Sequence, residues 1–217
     1  MTRPEVVEKW IEFTESFEGG VSSLYNDIRG LTTIAYGNLC NSPQEALRLA
    51  FVNPDGSPST RDQIINGWVA VNSNRDADRL GWRYAAQLTN IRLPQAEMTR
   101  LALSKLDEND AILAKRFTFW NTMPSCAVMA LHSLAWAAGP HFRYPKMIRA
   151  LEVHDYYTAE KEVLLEVWTK DAAGKNIQNK GLIPRNSANV ILMHNARLIE
   201  ECPSLDRTIV EWKRLIA

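Results

Sequence analysis

Three polar residues in the first part of the chain are of the types that acid–base chemistry uses. They are Glu18, Asp27 and Thr33. Glu18 is predicted to lie in the last turn of a helix, because two glycines follow it. The negative end of the helix dipole and the ring of the preceding phenylalanine both favour the protonated form of such a carboxyl group. A carboxyl group in that form acts as a general acid near neutral pH.

Each of these residues also has a purely structural explanation. Glu18 could be an exposed charge at a helix end, Asp27 a turn residue and Thr33 a β-branched strand residue. The helix dipole, however, selects Lys or Arg at the end of a helix on stability grounds. Taken alone, Thr33 is better explained as a strand residue, but all three structural explanations would have to hold together.

A helix and a β-hairpin are predicted to position the three residues. Apolar residues recur at helical spacing from Val6 to Phe17. Residues 24–27 and 31–36 form two β-prone runs, which are separated by a turn that ends at Gly30. A hairpin that folds back on the helix end would bring the glutamate, the aspartate and the threonine towards one pocket.

With its flanking residues this pattern resembles a known family. The residues concerned are Glu18-Gly19, Tyr25, Asp27, Thr33-Ile34 and Gly37. In order and spacing they are similar to the Glu-x8-Asp-x5-Thr triad of phage-type lysozymes and endolysins, glycoside hydrolase family 24, with the T-even phage lysozyme fold. The resemblance implies a mostly helical α+β protein with a small β-hairpin lobe and a larger helical lobe.

The resemblance also implies one lysozyme-like catalytic domain with two parts. Residues 1–92 would hold the first helix, the catalytic hairpin and an inserted helical segment, and residues 93–217 would form the helical lobe. Compact phage lysozymes pass quickly from hairpin to connecting helix, so residues 39–90 resemble an insertion that either shapes substrate access or enlarges the small lobe. Further helices are predicted over 159–169 and 205–216 from their apolar spacing.

The chain departs from the family at three positions. Ala35 and Asn38 stand where the family has Gly and His in its Gly-x-Gly-His motif, and Ala137 stands where it has Asn. Ala35 should cost little unless that residue needs a positive φ, which Gly adopts freely. Asn38 removes a titratable group, which affects the pH profile more than the reaction.

The resemblance suggests four substrate-binding residues. Tyr36 and Asn38 follow the catalytic threonine, and Trp136 stands where the family has Phe. Arg185 lies in a segment similar to the family's arginine-containing turn, and an arginine there would hold Glu18 by an ion pair. Trp82, Trp120 and Trp136 are further candidates for stacking on sugars, although a tryptophan is more often a core residue.

Composition excludes several other classes of protein. The 25 basic and 25 acidic side chains balance, which argues against a nucleic-acid binder. The four histidines are scattered without H-E-x-x-H, and the three cysteines lack C-x-x-C, so no metal site is predicted. No Gly-rich phosphate loop is present. We therefore expect no cofactor, and we expect a monomer.

The activity that the resemblance implies is that of a muramidase. Such an enzyme hydrolyses the β-1,4 bond between N-acetylmuramic acid and N-acetylglucosamine in peptidoglycan, here with inversion. Two settings fit: a phage endolysin, or an antibacterial effector with a secretion-apparatus partner and an immunity or inhibitor protein. The alternative is an inactive lysozyme-like module that binds glycan or serves a structural role.

The amino-terminal segment bears on where such an enzyme would act. It reads M-T-R-P-E-V-V-E-K-W and lacks the apolar core of a signal peptide. We therefore expect synthesis in the cytoplasm and action in the bacterial periplasm or cell wall after release or secretion.

Overall fold

The computed structural model describes residues 2–27, 29–170 and 174–216. The protein is mostly helical and carries a small three-stranded antiparallel sheet, so the α+β class expected from the sequence is confirmed. The helices are α1 Pro4–Glu18, α2 Pro43–Ala46, α3 Arg61–Asn72, α4 Arg75–Leu80, α5 Trp82–Ala85, α6 Gln95–Arg116, α7 Ser125–Ala138, α8 Pro145–Glu152, α9 Tyr156–Glu162 and α10 Leu182–Glu201. The strands are β1 Val21–Asn26, β2 Thr32–Ala35, β3 Asn38–Leu39, β4 Trp168–Lys170 and β5 Asn176–Gln178, and a short 3-10 helix spans Trp120–Thr122.

The chain divides into two compact units. We call the first the helical unit; it comprises Met1–Phe13, Leu103–Trp168 and Gln178–Ala217. The second, the hairpin unit, comprises Thr14–Ala102 and Thr169–Ile177. Helices α1 and α6 each contribute residues to both units. Among the described residues, no helix combines the length and the apolar character needed to cross a membrane.

The sheet of the hairpin unit is built from β1, β2 and β3 in that order, all antiparallel. Thr33 lies opposite Tyr25 on one side and opposite Leu39 on the other. Directly opposed residues present their side chains on the same face of a sheet. Tyr25, Thr33 and Leu39 therefore form one row across the sheet, and Asp27 begins the turn that follows the end of β1.

Ala35 at the end of β2 has a φ of +56°. Alanine is therefore costly at this position, because the residue has the positive φ that glycine adopts freely. A non-glycine residue in the left-handed region costs about 1–2 kcal/mol. The methyl group of Ala35 is also fully buried, so neighbouring atoms hold it in this conformation.

The inserted segment braces the sheet through polar side chains. Asn26, which is 3% exposed, donates from Nδ2 to Asp78 Oδ1 at 2.6 Å and to the Val71 carbonyl at 3.0 Å. The Thr32 hydroxyl lies 3.0 Å from Oδ1 of both Asn26 and Asn72. Helix α3 ends at Asn72 and α4 contains Asp78, so both helices supply acceptors to buried groups of the hairpin.

Helix α7 is almost entirely buried and packs against α10 in the helical unit, where α8, α9 and α10 also pack together. The prediction of a helix over 159–169 is wrong, because α9 ends at Glu162 and β4 begins at Trp168. The side chain of Asn186 donates to the Leu165 carbonyl and accepts from the Leu165 amide. These bonds replace the helical ones.

The prediction of a helix over 205–216 is also wrong, since turns and irregular backbone occupy the described part of that segment. Asn195 of α10 again supplies the competing hydrogen bonds. Its Nδ2 donates to the carbonyls of Glu211 and Arg214, and its Oδ1 accepts from the Ile216 amide. Trp212 is buried at 5% exposure, so the segment is anchored without helical structure.

Candidate active site

Glu18 is the last residue of α1 and carries an exposed side chain. The helix ends there because Gly19 takes a left-handed conformation, with φ +61°. A Cβ placed on Gly37 would lie 3.8 Å from Glu18 Oε2, so the carboxyl group lies beside the turn between β2 and β3. Because the side chain is exposed, the apolar surroundings expected from the preceding phenylalanine are not what the carboxyl group meets.

Asp27 is half-buried at the start of the β1–β2 turn. Its Oδ1 accepts hydrogen bonds from the amides of Arg29 at 2.8 Å and Leu31 at 2.9 Å. Its own amide donates to the Leu31 carbonyl, and its carbonyl accepts from the Gly30 amide. Both side-chain hydrogen bonds described for Asp27 are accepted by Oδ1. The carboxylate therefore shapes the turn with one oxygen and keeps Oδ2 for other contacts.

Thr33 is 3% exposed, and its hydroxyl donates to the Leu31 carbonyl at 2.9 Å. A hydroxyl has one hydrogen and two lone pairs, so Thr33 Oγ1 remains able to accept. The bond fixes the direction of the lone pairs, because the proton is committed to the backbone.

The pKa of Tyr25 reflects the charges near the row of side chains that contains Thr33. Burial raises the pKa of Tyr25 to about 12, with further contributions from the charges of Glu18 and Asp27. Both carboxylates are thus close enough to Tyr25 to disfavour its ionised form. Thr33 lies opposite Tyr25 in the sheet, and Glu18, Asp27 and Thr33 all belong to the hairpin unit.

Tyr36 has no exposed surface, and it ties the hairpin to the end of α1. Its hydroxyl donates to Glu15 Oε1 at 2.6 Å and accepts from Gln95 Nε2 at 2.8 Å. Burial and, next, the hydrogen bond to Glu15 raise the pKa of Tyr36. Tyr36 is therefore an anchor for Glu15, which lies one helical turn before Glu18, and the ring itself has no exposed surface to offer a ligand.

Asn38 is half-buried in β3 opposite Ile34. Within the described part of the chain, no donor reaches its buried Oδ1. An amide oxygen removed from water without a partner is costly. Of the four residues suggested for substrate binding, Asn38 is the one whose side-chain oxygen lacks a hydrogen-bond donor among the described residues.

Trp136 and Arg185 belong to the helical unit. Trp136 is 7% exposed; its ring lies 5.3 Å from that of Trp10, and Lys105 Nζ lies 4.6 Å from its centroid. Arg185 is 1% exposed, with its guanidinium 5.8 Å from the Phe13 ring centroid. Its Nη1 lies 3.4 Å from Ser133 Oγ. Both residues are part of the packed interior of that unit.

Sequence reasoning gave no role to Tyr25 or to Asn26. Tyr25 is visible in the sequence only as a flanking residue of the motif, two positions before Asp27. Asn26 has no signal of its own, because its partner Asp78 lies 52 positions away. Among the residues that the structure describes, no group of three or more His, Cys, Asp or Glu side chains is arranged to hold a metal ion.

Comparisons of this chain with protein-family models, with curated proteins and with solved structures found no match.

Proposed function

We propose that this protein is a peptidoglycan muramidase with a two-lobed lysozyme fold and with Glu18 as its general acid. The observation that carries the proposal is the position of the Glu18 carboxyl group at a helix end, 3.8 Å from the Cβ position of Gly37 in the hairpin. Asp27 and Thr33 belong to the same hairpin, with Thr33 opposite Tyr25 in the sheet and Asp27 at the start of the turn. A glycosidase needs such a pair of carboxyl groups on either side of the bond that it cleaves.

The reaction would proceed by inversion. Glu18 donates its proton to the glycosidic oxygen as the bond to the anomeric carbon breaks. A water molecule adds to that carbon from the opposite face, and its proton passes to Asp27 Oδ2, the oxygen that the turn does not use. Thr33 Oγ1 accepts a hydrogen bond from the same water, because its own proton is directed to the Leu31 carbonyl. Inverting enzymes separate the two carboxyl groups by roughly 6.5–9.5 Å to make room for water.

A purified cell-wall suspension tests this proposal. The parent protein should clear the suspension, and Glu18→Gln should clear it about 10²–10⁴-fold more slowly, the usual contribution of a general acid. Glu8→Gln is the matched control, since it changes an exposed glutamate elsewhere on α1. Circular dichroism establishes that all three proteins are folded. Equal clearing by the parent and Glu18→Gln would remove Glu18 from the mechanism.

Asp27→Asn separates the structural and chemical roles of the aspartate. The amide oxygen of asparagine still accepts the bonds from Arg29 and Leu31, so the turn should persist. The second oxygen becomes an NH₂ group and can no longer accept a proton. A large loss of clearing at unchanged stability supports a base at this position, and full activity would assign Asp27 to the turn alone.

The second candidate function is a lysozyme-like module that binds or supports glycan without cutting it. It is favoured by the bonds that commit Asp27 Oδ1 and the Thr33 hydroxyl to the backbone of the turn. Binding to cell wall without clearing by the parent protein would establish this alternative.

Two biological settings fit the proposed enzyme. A phage endolysin would be released to the cell wall at lysis, whereas an antibacterial effector would be delivered by a secretion apparatus and held in check by an immunity protein. Neighbouring genes distinguish them, because a holin gene accompanies the first setting and genes for a delivery spike and an immunity protein accompany the second.

A further inference from the structure

The corner between α4 and α5 presents two large apolar side chains to solvent. Leu80 ends α4 and is 51% exposed, and Trp82 begins α5 and is 47% exposed. Gly81 lies between them, and a Cβ placed on it would meet nothing within 4 Å. The corner is therefore open on its outer side.

Trp82 differs from the other tryptophans that were candidates for sugar stacking. Trp120 and Trp136 are 4% and 7% exposed and belong to the core of the helical unit. Among the large apolar side chains of the described residues, Trp82 and Trp168 are the tryptophans that remain exposed. Trp82 lies in the hairpin unit with Glu18 and Asp27, whereas Trp168 lies in the helical unit.

Arg83 orients the ring of Trp82. Its guanidinium carbon lies 5.3 Å from the centroid of the Trp82 ring, in the geometry of a cation–π contact. With this contact in place, 47% of the Trp82 surface remains exposed to solvent. The electron-rich face of an aromatic ring attracts the weakly positive C–H groups of a sugar ring, as it attracts the edge of another aromatic ring.

Arg83 also carries the unmatched charge of the corner. Arg79 pairs with Asp76 at 3.0 Å, and Arg75 lies 3.7 Å from Asp78. In the described part of the chain, no carboxylate lies within 4.0 Å of Arg83. A ligand that offers both a sugar ring and a carboxylate would match this pair of side chains.

The corner is fixed to the hairpin that carries Asp27. Asp78, four residues before Trp82, accepts the 2.6 Å hydrogen bond from Asn26, the residue that precedes Asp27. A Cβ placed on Gly30 of the turn would lie 3.7 Å from Asp78 Oδ2. Helix α5 packs directly on β1. The inserted segment thus holds Trp82 at a set position relative to the proposed catalytic aspartate.

We propose that Trp82 stacks on a sugar ring of the peptidoglycan strand away from the cleaved bond, and that Arg83 pairs with a carboxylate of the stem peptide beside it. This inference rests on the proposed function and extends it, because it gives the insertion a part in substrate binding. It also assigns specificity for strands that still carry peptides.

Binding is measured by co-sedimentation with purified sacculi in a Glu18→Gln background, so that the ligand is not consumed. Trp82→Ala should weaken binding about tenfold, the order expected for one aromatic contact. Trp82→Phe should retain most of the affinity, because it keeps an aromatic face. Trp168→Ala is the matched control and should bind as the parent does. Equal binding by Trp82→Ala and the parent overturns the proposal.

Glycan strands stripped of their peptides test the role of Arg83. Arg83→Gln should lower the affinity for intact sacculi several-fold and leave the affinity for stripped strands unchanged. Equal losses on both ligands would overturn the carboxylate assignment. Circular dichroism confirms folding of each variant, since both side chains are exposed.

The clearing assay and the binding assay together distinguish the stacking site from the muramidase proposal. If the unmodified chain clears cell wall and Trp82→Ala binds normally, the stacking site is refuted and the muramidase stands. If the chain fails to clear but binding still depends on Trp82, the muramidase is refuted and the glycan site stands.

Discussion

The Tyr36 anchor yields a prediction that can be worked out from its contacts. Tyr36→Phe deletes the hydroxyl that donates to Glu15 at 2.6 Å and accepts from Gln95 at 2.8 Å. A hydrogen bond to a charged group contributes about 1.5–3 kcal/mol. Because Glu15 is exposed, the lower end applies. The free energy of unfolding should therefore fall by about 1.5 kcal/mol, which lowers Tm by roughly 3–6 °C in a chain of this size.

Urea unfolding at neutral pH measures this change. Tyr157→Phe is the matched control, because Tyr157 is 56% exposed and its hydroxyl makes no hydrogen bond among the described residues. That variant should stay within about 0.5 kcal/mol of the parent. A cycle with Glu15→Ala should show non-additivity of about 1 kcal/mol, since the two side chains are in direct contact.

The same change should affect activity, because Glu15 lies one helical turn before Glu18. Loosening the end of α1 displaces the proposed acid, and small displacements of a catalytic group are expensive. Clearing by Tyr36→Phe should slow several-fold while cell-wall binding is retained. A stability change below about 0.5 kcal/mol in Tyr36→Phe would refute the reasoning, since this is the size of an ordinary surface substitution.

Three further predictions concern the thiols, Tyr25 and Ala35. Native protein should react with one equivalent of a thiol reagent. Cys202 is exposed and hydrogen bonding with Ser204 lowers the pKa of its thiol, whereas burial raises the pKa of the Cys40 thiol to about 12. Cys202→Ser should therefore abolish the labelling. The folded pKa of Tyr25, about 12, exceeds the usual value near 10, so its contribution to stability is present below about pH 10 and is lost as the pH rises towards 12. In urea titrations at pH 8 and 11, Tyr25→Phe should lose less stability than the parent. Ala35→Val should destabilise by about 2 kcal/mol or more, because it puts a β-branched side chain at positive φ, whereas Ile34→Val should cost about 1 kcal/mol.

Specific outcomes would contradict each of these three. Rapid labelling of two or three thiols in the folded protein would show that the buried cysteines are reachable. Identical alkaline losses in Tyr25→Phe and the parent would mean that Tyr25 ionises as easily in the folded state as in the unfolded one. An Ala35→Val protein as stable as Ile34→Val would mean that the left-handed conformation at residue 35 carries little strain.

The first helix and the hairpin were predictable because their signals are local. Glycines follow Glu18 and end α1, and two β-prone runs on either side of Gly30 pair as predicted. These elements need only the residues next to them in the chain, and they hold all three proposed catalytic residues.

The errors arose where a distant side chain outcompeted local preference. The apolar spacing of 159–169 suits a helix, but the Asn186 amide binds both backbone groups of Leu165. Asn195 acts in the same way on the last segment. The sequence of neither segment predicts a hydrogen-bond partner that lies some twenty residues away.

The proposed substrate-binding residues were harder to predict than the proposed catalytic ones, because residue type does not determine burial. Tyr36 follows a strand and could have faced solvent, but its hydroxyl finds Glu15 and Gln95 and the ring is enclosed. Trp82 was one of three equal candidates in the sequence. Its exposure distinguishes it from the two others, and exposure depends on the whole hairpin unit.

The bracing of the sheet by Asn26 and Thr32 limits how far the chain can be shortened. A trimmed version that joined β3 directly to α6 would delete Val71, Asn72 and Asp78, and with them every acceptor that α3 and α4 offer to these two side chains. A shortened domain would need Asn26 and Thr32 replaced with apolar residues in the same step. In any lineage that gained or lost this segment, those two positions should have changed along with it.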